Sequence, residues 1–386
     1  MSLAKPFRVS DPECATIPAL PPAIKPAIAA GVIAVSQAVM SDAGSDFDLL
    51  ERLRPILAAR LGGDGYAELI DTVSGNINLI YKLRYQGRML GARVMTNTYR
   101  FRYEPGIIKE IFAILLLYHA RGASGDDLAR AIVDGALSSP TGGHVGHALV
   151  RTVVHYDWSL SVLPWPFFIH EWVDGEILWH AADPENYRLA GRDLATLHRV
   201  RFQHFYRDIF QIRHQPLSWR EGFAQSLARE LEGAAERLPG PVVDQLRALN
   251  PADWPEAPAC LVHNDYSGGN ILIEAQGRHK IIDWDNWMVE APELDLVKMR
   301  YWTKIGADNV LAPDSTRFAA FLDGYRAAAE QPPDPGRARA YESLWLLRAF
   351  NFESARRPES EVEVAGVRLA AHYPSPAAYV DWLREV

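Results

Sequence analysis

The chain has 386 residues, 48% of them hydrophobic and 23% charged, with a formal net charge of −8. That length exceeds what one core usually holds, so two lobes or domains are expected. The acidic balance argues against nucleic acid as the main partner, since phosphate backbones are held by basic surfaces, and it is compatible with a cationic small molecule. The two cysteines, Cys14 and Cys260, cannot build a disulfide framework or a Cys-based zinc site, which fits a reducing compartment.

Residues 1–45 are rich in proline and alanine (TIPALPPAIKPAIAAG) and read as an N-terminal extension. The most apolar segment, AIAAGVIAV at 27–35, is too short to span a bilayer and lacks a basic lead, so a cytoplasmic chain without a membrane partner is expected. At 46–62, Leu49, Leu50, Leu53, Ile56 and Leu57 recur at helical spacing until Gly62 and Gly63 stop the pattern. The segment AELIDTVSGNINLIYKLRYQGRMLGARVM alternates short β-type runs with glycine turns, predicting three antiparallel strands. A helix follows in EPGIIKEIFAILLLYHARGA, with Pro105 near its start and Gly122 past its end. DDLARAIVDGALSS predicts a shorter helix, PTGGHVGH a mobile insertion, and ALVRTVVHY with PWPFFIHEWV a strand pair.

After Asp174-Gly175 the pattern turns helical (NYRLAGRDLATLHRV, WREGFAQSLARELEGAAERL, VVDQLRAL, DLVKMRYWTKI, STRFAAFLDGYRAAA and RAYESLWLLRAFNFES). One polar β-hairpin, LVHNDYSGGNILIEAQGRHKIIDWDNW at 261–287, interrupts it. The order is therefore an α+β chain in which a β-rich lobe (46–174) precedes a mostly helical lobe (175–386).

The interrupting stretch carries the chemistry. Asp265, Asn270 and Asp283 fall at strand ends, where carboxylates pack poorly but can hold a metal and a reacting hydroxyl. Phosphoryl transfer from ATP needs a carboxylate near the acceptor hydroxyl and oxygen ligands for Mg²⁺, which takes one or two protein carboxylates and keeps several waters. In this reading Asp265 orients the hydroxyl and accepts its proton. Asn270, five residues on, has the spacing of a kinase catalytic loop, and Asp283 ends the next apolar run as a metal ligand.

HNDYSGGN followed by IIDWDN resembles the aminoglycoside phosphotransferase and choline/ethanolamine kinase superfamily, whose members have a protein-kinase-like fold and phosphorylate small-molecule hydroxyls. The resemblance covers most of 65–300 and is weaker over the N-terminal lobe. It implies that Asp295 braces the site and that the strand–turn–strand at 74–83, with Ser74, Gly75 and Asn76, lies over the nucleotide phosphates. It further implies that Arg93 is the third-strand cation paired with Glu110, and that the backbone of Glu171 to Val173 meets adenine. A small-molecule hydroxyl acceptor is implied, either choline-like or an aminoglycoside or other amino sugar, for a monomer or homodimer. Tyr266-Ser267 departs from the continuation usual in choline kinases, which keeps both acceptor classes open.

Plainer readings compete. Asp and Asn favour turns, and His263 reads as a hydrogen-bonding loop residue rather than a catalyst. Asp285 is either a second metal carboxylate or a solvated neighbour. Lys82, Arg84 and Arg88 are alternatives to Arg93. His144 and His147 are too isolated for a metal site. Tyr301, Trp302, Tyr341, Trp345 and Phe350 read as core, with a box for an ammonium group as the alternative. A nucleotide-binding but silent pseudokinase that regulates a partner is the rival function, although such a protein has no need of Asp265, Asn270 and Asp283 together.

Overall fold

The computed structural model describes residues 46–74, 78–95, 106–119, 125–138, 141–142, 147–157, 159, 161–163, 166–206, 218–355, 363–364, 367–368 and 373–386. Helix α1 (Asp46–Leu61) is followed by strands β1 (Ala67–Ser74), β2 (Asn78–Tyr85) and β3 (Arg88–Met95), which form the expected antiparallel run. Helices α2 (Gly106–His119) and α3 (Gly125–Ser138) come next. Strands β4 (Thr141–Gly142), β5 (Val153–Asp157) and β6 (Phe167–Glu171) then complete an antiparallel six-stranded sheet of order β1-β2-β3-β6-β5-β4. The beginning of PTGGHVGH is thus sheet edge rather than insertion, because Thr141 and Gly142 pair with Asp157 and Tyr156.

Strand alternation sends side chains to opposite faces of this sheet. Leu90, Ala92 and Val94 of β3 and Phe167 and Ile169 of β6 pack with Leu53 and Leu57 of α1. The intervening residues turn the other way, where Arg93 meets α2 and Phe168 joins a second core. Each large apolar side chain so buried contributes about 1.5–3 kcal/mol.

Beyond β7 (Gly175–Ile177) the chain is mainly helical. Helix α4 (Pro184–Leu197) starts at an Asp183 cap, with Pro184 at its first turn. After β8 (Arg201–Phe202), α5 (Trp219–Ala234) opens on a capping box between Ser218 and Glu221. Helix α6 (Gly240–Arg247) leads to β9 (Ala259–Val262), β10 (Ile271–Glu274), β11 (His279–Ile281) and β12 (Met288–Glu290). Helices α7 (Glu293–Tyr301), α8 (Ser315–Ala328) and α9 (Pro335–Ala355) follow. One apolar core runs from α2 through Trp284 and Trp287 to α4 and α8, and another joins α5, α6, α7 and α9.

Two sequence expectations change. The stretch 261–287 is not one hairpin: β10 pairs with β11 on one side and β7 on the other, whereas β9 pairs with β8 and β12. The polar loop 263–270 therefore bridges two small sheets. The helix expected through DLVKMRYWTKI ends at Tyr301, where Trp302 leaves helical geometry at φ −112°, ψ 55° and Lys304–Ile305 pairs with Leu311–Ala312. Among the described residues no helix is long and apolar enough to cross a membrane. Cys260 is buried as a free thiol, and Cys14 lies outside the described residues.

Candidate active site

Strand β9 ends at Val262 and hands the chain to a loop pinned by one buried carboxylate. Asp295, on α7, accepts from the His263 amide at 2.7 Å and the Asn264 amide at 2.6 Å. Charge-assisted bonds of this kind are among the stronger ones. Asn264 takes φ 61°, a left-handed conformation that Asn tolerates better than most residues. His198 also reaches Asp295, with Nε2 at 3.2 Å, while its Nδ1 lies 2.8 Å from the Tyr325 hydroxyl. The brace implied for Asp295 is present and extends to α4 and α8.

His263 is fully buried and spends both ring nitrogens on the backbone. The Asp265 amide donates to Nδ1 at 3.2 Å, so Nε2 carries the proton and donates to the Ile282 carbonyl at 3.0 Å. That is the loop-bonding role. Asn270 donates from Nδ2 to the Asp265 carbonyl at 2.9 Å, closing the loop on itself. Between them, Gly268 and Gly269 lie under the indole of Trp179: a Cβ on either would stand 2.5 Å from a ring carbon. The two glycines are what let Trp179 lie across the loop.

Asp283 follows β11 at φ 65°, ψ 58°, ahead of a turn whose Trp284 is anchored in the core. Its carboxylate accepts from Arg93 Nη2 at 2.7 Å. Arg93 Nη1 bonds Glu110, whose other oxygen accepts from Arg151 Nη2 at 3.1 Å. Arg151 Nη1 lies 3.1 Å from His170 Nε2, and His170 Nδ1 lies 2.7 Å from the Glu171 carbonyl. The sequence Asp283, Arg93, Glu110, Arg151, His170, Glu171 carbonyl is thus one continuous hydrogen-bonded chain. The His170 ring fits because of Gly91, where a Cβ would stand 2.4 Å from it.

Electrostatics follow from that chain. Burial pushes the Arg93 guanidinium down, but Glu110 and Asp283 outweigh it and hold Arg93 above its ordinary value. Burial raises the Asp283 carboxyl, and the Arg93 charge and hydrogen bond reverse this and hold it below the usual carboxylate range. Burial first and Arg151 second push the His170 imidazole well down. It is therefore neutral, and donates from Nδ1 while accepting at Nε2.

A cleft of about 900 Å³ collects these groups. Asp265, Asn270, Asp283, Asp285, Arg93, Arg151 and Lys298 all line it. Lys298, on α7, donates to Asp265 Oδ1 and stands over the Trp302 ring, 5.1 Å from its centroid. Further along, the wall is aromatic, with Trp302, Tyr341, Trp345 and Tyr379. Two carboxylates there are already bonded: Glu230 by Asn351 and, at 3.6 Å, Arg348, and Glu290 by the Tyr341 hydroxyl at 2.7 Å.

The donor set tests for a metal. Among the described residues no three His, Cys, Asp or Glu side chains converge on a metal site. One carboxylate and one amide oxygen, from Asp283 and Asn270, suit a hard cation that keeps its own waters rather than a closed zinc cage. Asp285 is buried and accepts from Asn286 Nδ2 at 2.9 Å.

Of the sequence candidates, Asp265, Asn270, Asp283 and Arg93 share this cleft, and Glu110 backs it. Ser74 ends β1, whereas Gly75 and Asn76 lie outside the described residues. The alternatives to Arg93 are employed elsewhere: Lys82 pairs with Asp174, Arg84 with Glu68 and Arg88 with Glu171. At the expected adenine strap, the Glu171 amide donates to the Thr152 carbonyl and the Trp172 amide to the Met89 carbonyl. Val173 lies beyond the paired register, which ends at Glu171. Of the aromatic residues, Tyr301, Tyr341, Trp345 and Phe350 are core, while Trp302, Tyr341 and Trp345 also face the cleft. His147 accepts at Nδ1 from the Leu149 amide, and His144 lies outside the described residues. Sequence reasoning missed the roles of Arg151, His170, Lys298 and Trp179; His170 lies inside FFIHEWV next to the expected adenine strap, and the other three sit in no motif.

The antiparallel sheet with its buried Arg93–Glu110 pair, joined to a helical part that carries the catalytic-type loop, is the two-lobed protein-kinase-like fold. A model of the phosphotransferase enzyme family matches residues 144–342, about half of the chain, and the chain belongs to that family. Among solved structures it is similar to a Ralstonia eutropha chain described as an aminoglycoside phosphotransferase, with 17% identity, TM-score 0.56 and coverage of 87% of this chain and 98% of that one. It is also similar to a spectinomycin phosphotransferase solved with ADP and spectinomycin, with 14% identity, TM-score 0.51 and coverage of 87% and 98%. A macrolide 2′-phosphotransferase from Brachybacterium faecium gives 16% identity, TM-score 0.51 and coverage of 86% and 96%. No curated protein matches the chain in sequence.

Proposed function

We propose that this protein transfers the γ-phosphoryl group of ATP, with Mg²⁺, to a hydroxyl of a small molecule. The observation that carries the reading is the convergence of Asp265, Asn270 and Asp283 on one cleft beside the Arg93–Glu110 pair. Mg²⁺, held by Asn270 and Asp283, would neutralise charge on the phosphate oxygens. Arg93 would lie along the phosphates, with the end of β1 at Ser74 beside them. Val173 and the Glu171 carbonyl meet adenine. Asp265 receives the acceptor proton. The nucleotide belongs to the 46–174 lobe and the acceptor to the 175–386 lobe.

The aromatic wall supports an acceptor with a ring or an ammonium group, because Trp and Tyr faces attract both. Amino alcohols, amino sugars and aminoglycosides are the classes to screen. A silent nucleotide-binding regulator is disfavoured by the shared orientation of all three polar residues into the cleft.

The test is a panel of such hydroxyl compounds with labelled ATP, run on the wild type and on Asp265→Asn. General-base catalysis contributes about 10²–10⁴-fold, so transfer in the variant should fall at least about a hundredfold while calorimetric binding of ATP with Mg²⁺ stays near normal. Wild-type transfer by Asp265→Asn would sink the assignment. Loss of nucleotide binding instead would make Asp265 a structural residue.

A further inference from the structure

The carboxylate assigned as base is touched by a cation that no motif points to. Lys298 donates to Asp265 Oδ1, and both side chains are only partly buried, at 17% and 24% exposure. Both side chains line the open cleft, so the pair is within reach of whatever enters it. The frame of the lysine is well fixed. Lys298 lies one helical turn from Asp295, whose carboxylate holds the loop amides. The Trp302 amide donates to the Lys298 carbonyl at 2.7 Å, and the Trp302 carbonyl accepts from Trp179, the residue lying over Gly268 and Gly269. The ammonium also stands over the face of the Trp302 ring, a second contact that holds it in place.

Three other cations of the cleft are tied to different carboxylates. Arg93 bonds Glu110 and Asp283, Arg151 bonds Glu110 and His170, and Arg348 faces Glu230. Lys298 alone among these is paired with the group that takes the acceptor hydroxyl. An ammonium has three donors, so it can keep Asp265 and still reach a second anion.

We propose that Lys298 is a further catalytic residue, its ammonium bridging Asp265 and the transferring phosphoryl group. This rests on the phosphotransferase reading above. In the step itself, the acceptor oxygen forms the new bond to the γ-phosphorus, and the bond from that phosphorus to the β–γ bridging oxygen breaks. The electron pair leaves with ADP, and the hydroxyl proton passes to the Asp265 carboxylate and then to solvent. Negative charge spreads over the three equatorial oxygens, and a positioned cation there favours the transition state over the ground state.

The experiment needs no acceptor. MgADP binding is measured by calorimetry with and without aluminium fluoride, which mimics the transferring phosphoryl group, in the wild type, Lys298→Met, Lys298→Arg and Asp265→Asn. The wild type should gain affinity when aluminium fluoride is added. Lys298→Met should lose at least about tenfold of that gain, in line with the roughly 10²–10³-fold lost with one such donor, and its affinity for MgADP alone should stay unchanged. Lys298→Arg should recover part of the gain. Lys298→Gln, which keeps the length of the side chain, carries the same expectation should the Met variant fold poorly. An undiminished gain in both Met and Gln variants would reduce Lys298 to orienting Asp265 and overturn the proposal. Failure of the wild type to bind MgADP would overturn the phosphotransferase reading itself, a result visible before any lysine variant is made.

Discussion

Arg93 donates to Asp283 at 2.7 Å, joining residues 190 positions apart in sequence. The buried cation of the sheet and the candidate metal ligand of the helical lobe are therefore in direct contact. A metal ion that takes Asp283 must share it with Arg93 or displace it.

Asp283→Ala should abolish turnover yet leave the fold intact, because the Asp283 side chain is 41% exposed and Arg93 keeps Glu110. Phosphoryl transfer and a thermal melt check the two halves of this. Robust transfer by the variant would remove Asp283 from the metal site.

Arg93→Ala leaves Glu110, 1% exposed, with the Arg151 guanidinium as its cation partner. Losing one member of a buried pair costs about 3–5 kcal/mol, and Arg151 should hold the loss to the lower end. The variant should use ATP poorly. The double variant with Glu110→Ala should be less damaged than the sum of the singles, with a coupling of about 0.5–3 kcal/mol. Strict additivity in denaturant titrations would show that the two side chains act independently.

Asp295→Ala would strip the partner from two loop amides and from His198. Each buried group left unsatisfied costs about 1–3 kcal/mol, so with three such groups urea unfolding should shift by at least about 3 kcal/mol, with the m-value unchanged. Activity should fall as well, through Asp265. A variant as stable as the wild type would mean that the loop holds its shape without the brace.

Gly268→Ala places a methyl group against the Trp179 indole. Overpacking of this kind costs about 1–3 kcal/mol. Trp179→Leu in the same chain should return part of the lost stability, as read by melting temperature. No recovery would locate the strain in the backbone rather than in the indole.

Acid should act through His155, whose imidazole is pushed down to about 4 by burial and then by Arg60. The unfolded chain holds its His proton up to about pH 6.5, so between these values the unfolded state binds more protons. Stability is then present above about pH 6.5 and is lost as pH falls toward 4. From pH 7 to 5 this group alone accounts for about 2 kcal/mol. His155→Phe should flatten the pH dependence of urea unfolding by that amount, and an unaltered slope would exclude His155 as the source.

The elements that sequence displayed were those with a local cause. Strands β1 to β3 stood out through alternation between glycine turns, and Asp265, Asn270 and Asp283 through spacing within one short stretch. Arg93 could be ranked only loosely against Lys82, Arg84 and Arg88, because strand alternation alone does not say which face meets α2. Arg151 and Lys298 were invisible for a related reason. Each acquires its role by packing against a residue 41 and 33 positions away, and nothing around either one marks it. The end of α7 is not legible because the pairing of Lys304–Ile305 with Leu311–Ala312 leaves no trace in hydrophobic periodicity.

Trp287, 2% exposed in the core, donates its indole N–H to the Lys109 carbonyl at 2.6 Å. Lys109 precedes Glu110, so α2 is latched to the turn that follows Asp283. Swinging α2 outward, the movement that would part Glu110 from Arg93, means drawing an indole out of apolar packing and leaving its donor unmet. Those two losses together oppose the swing by several kcal/mol. The charge pair is consequently assembled by the fold itself, with the indole latch working against an inactive posture of the helix.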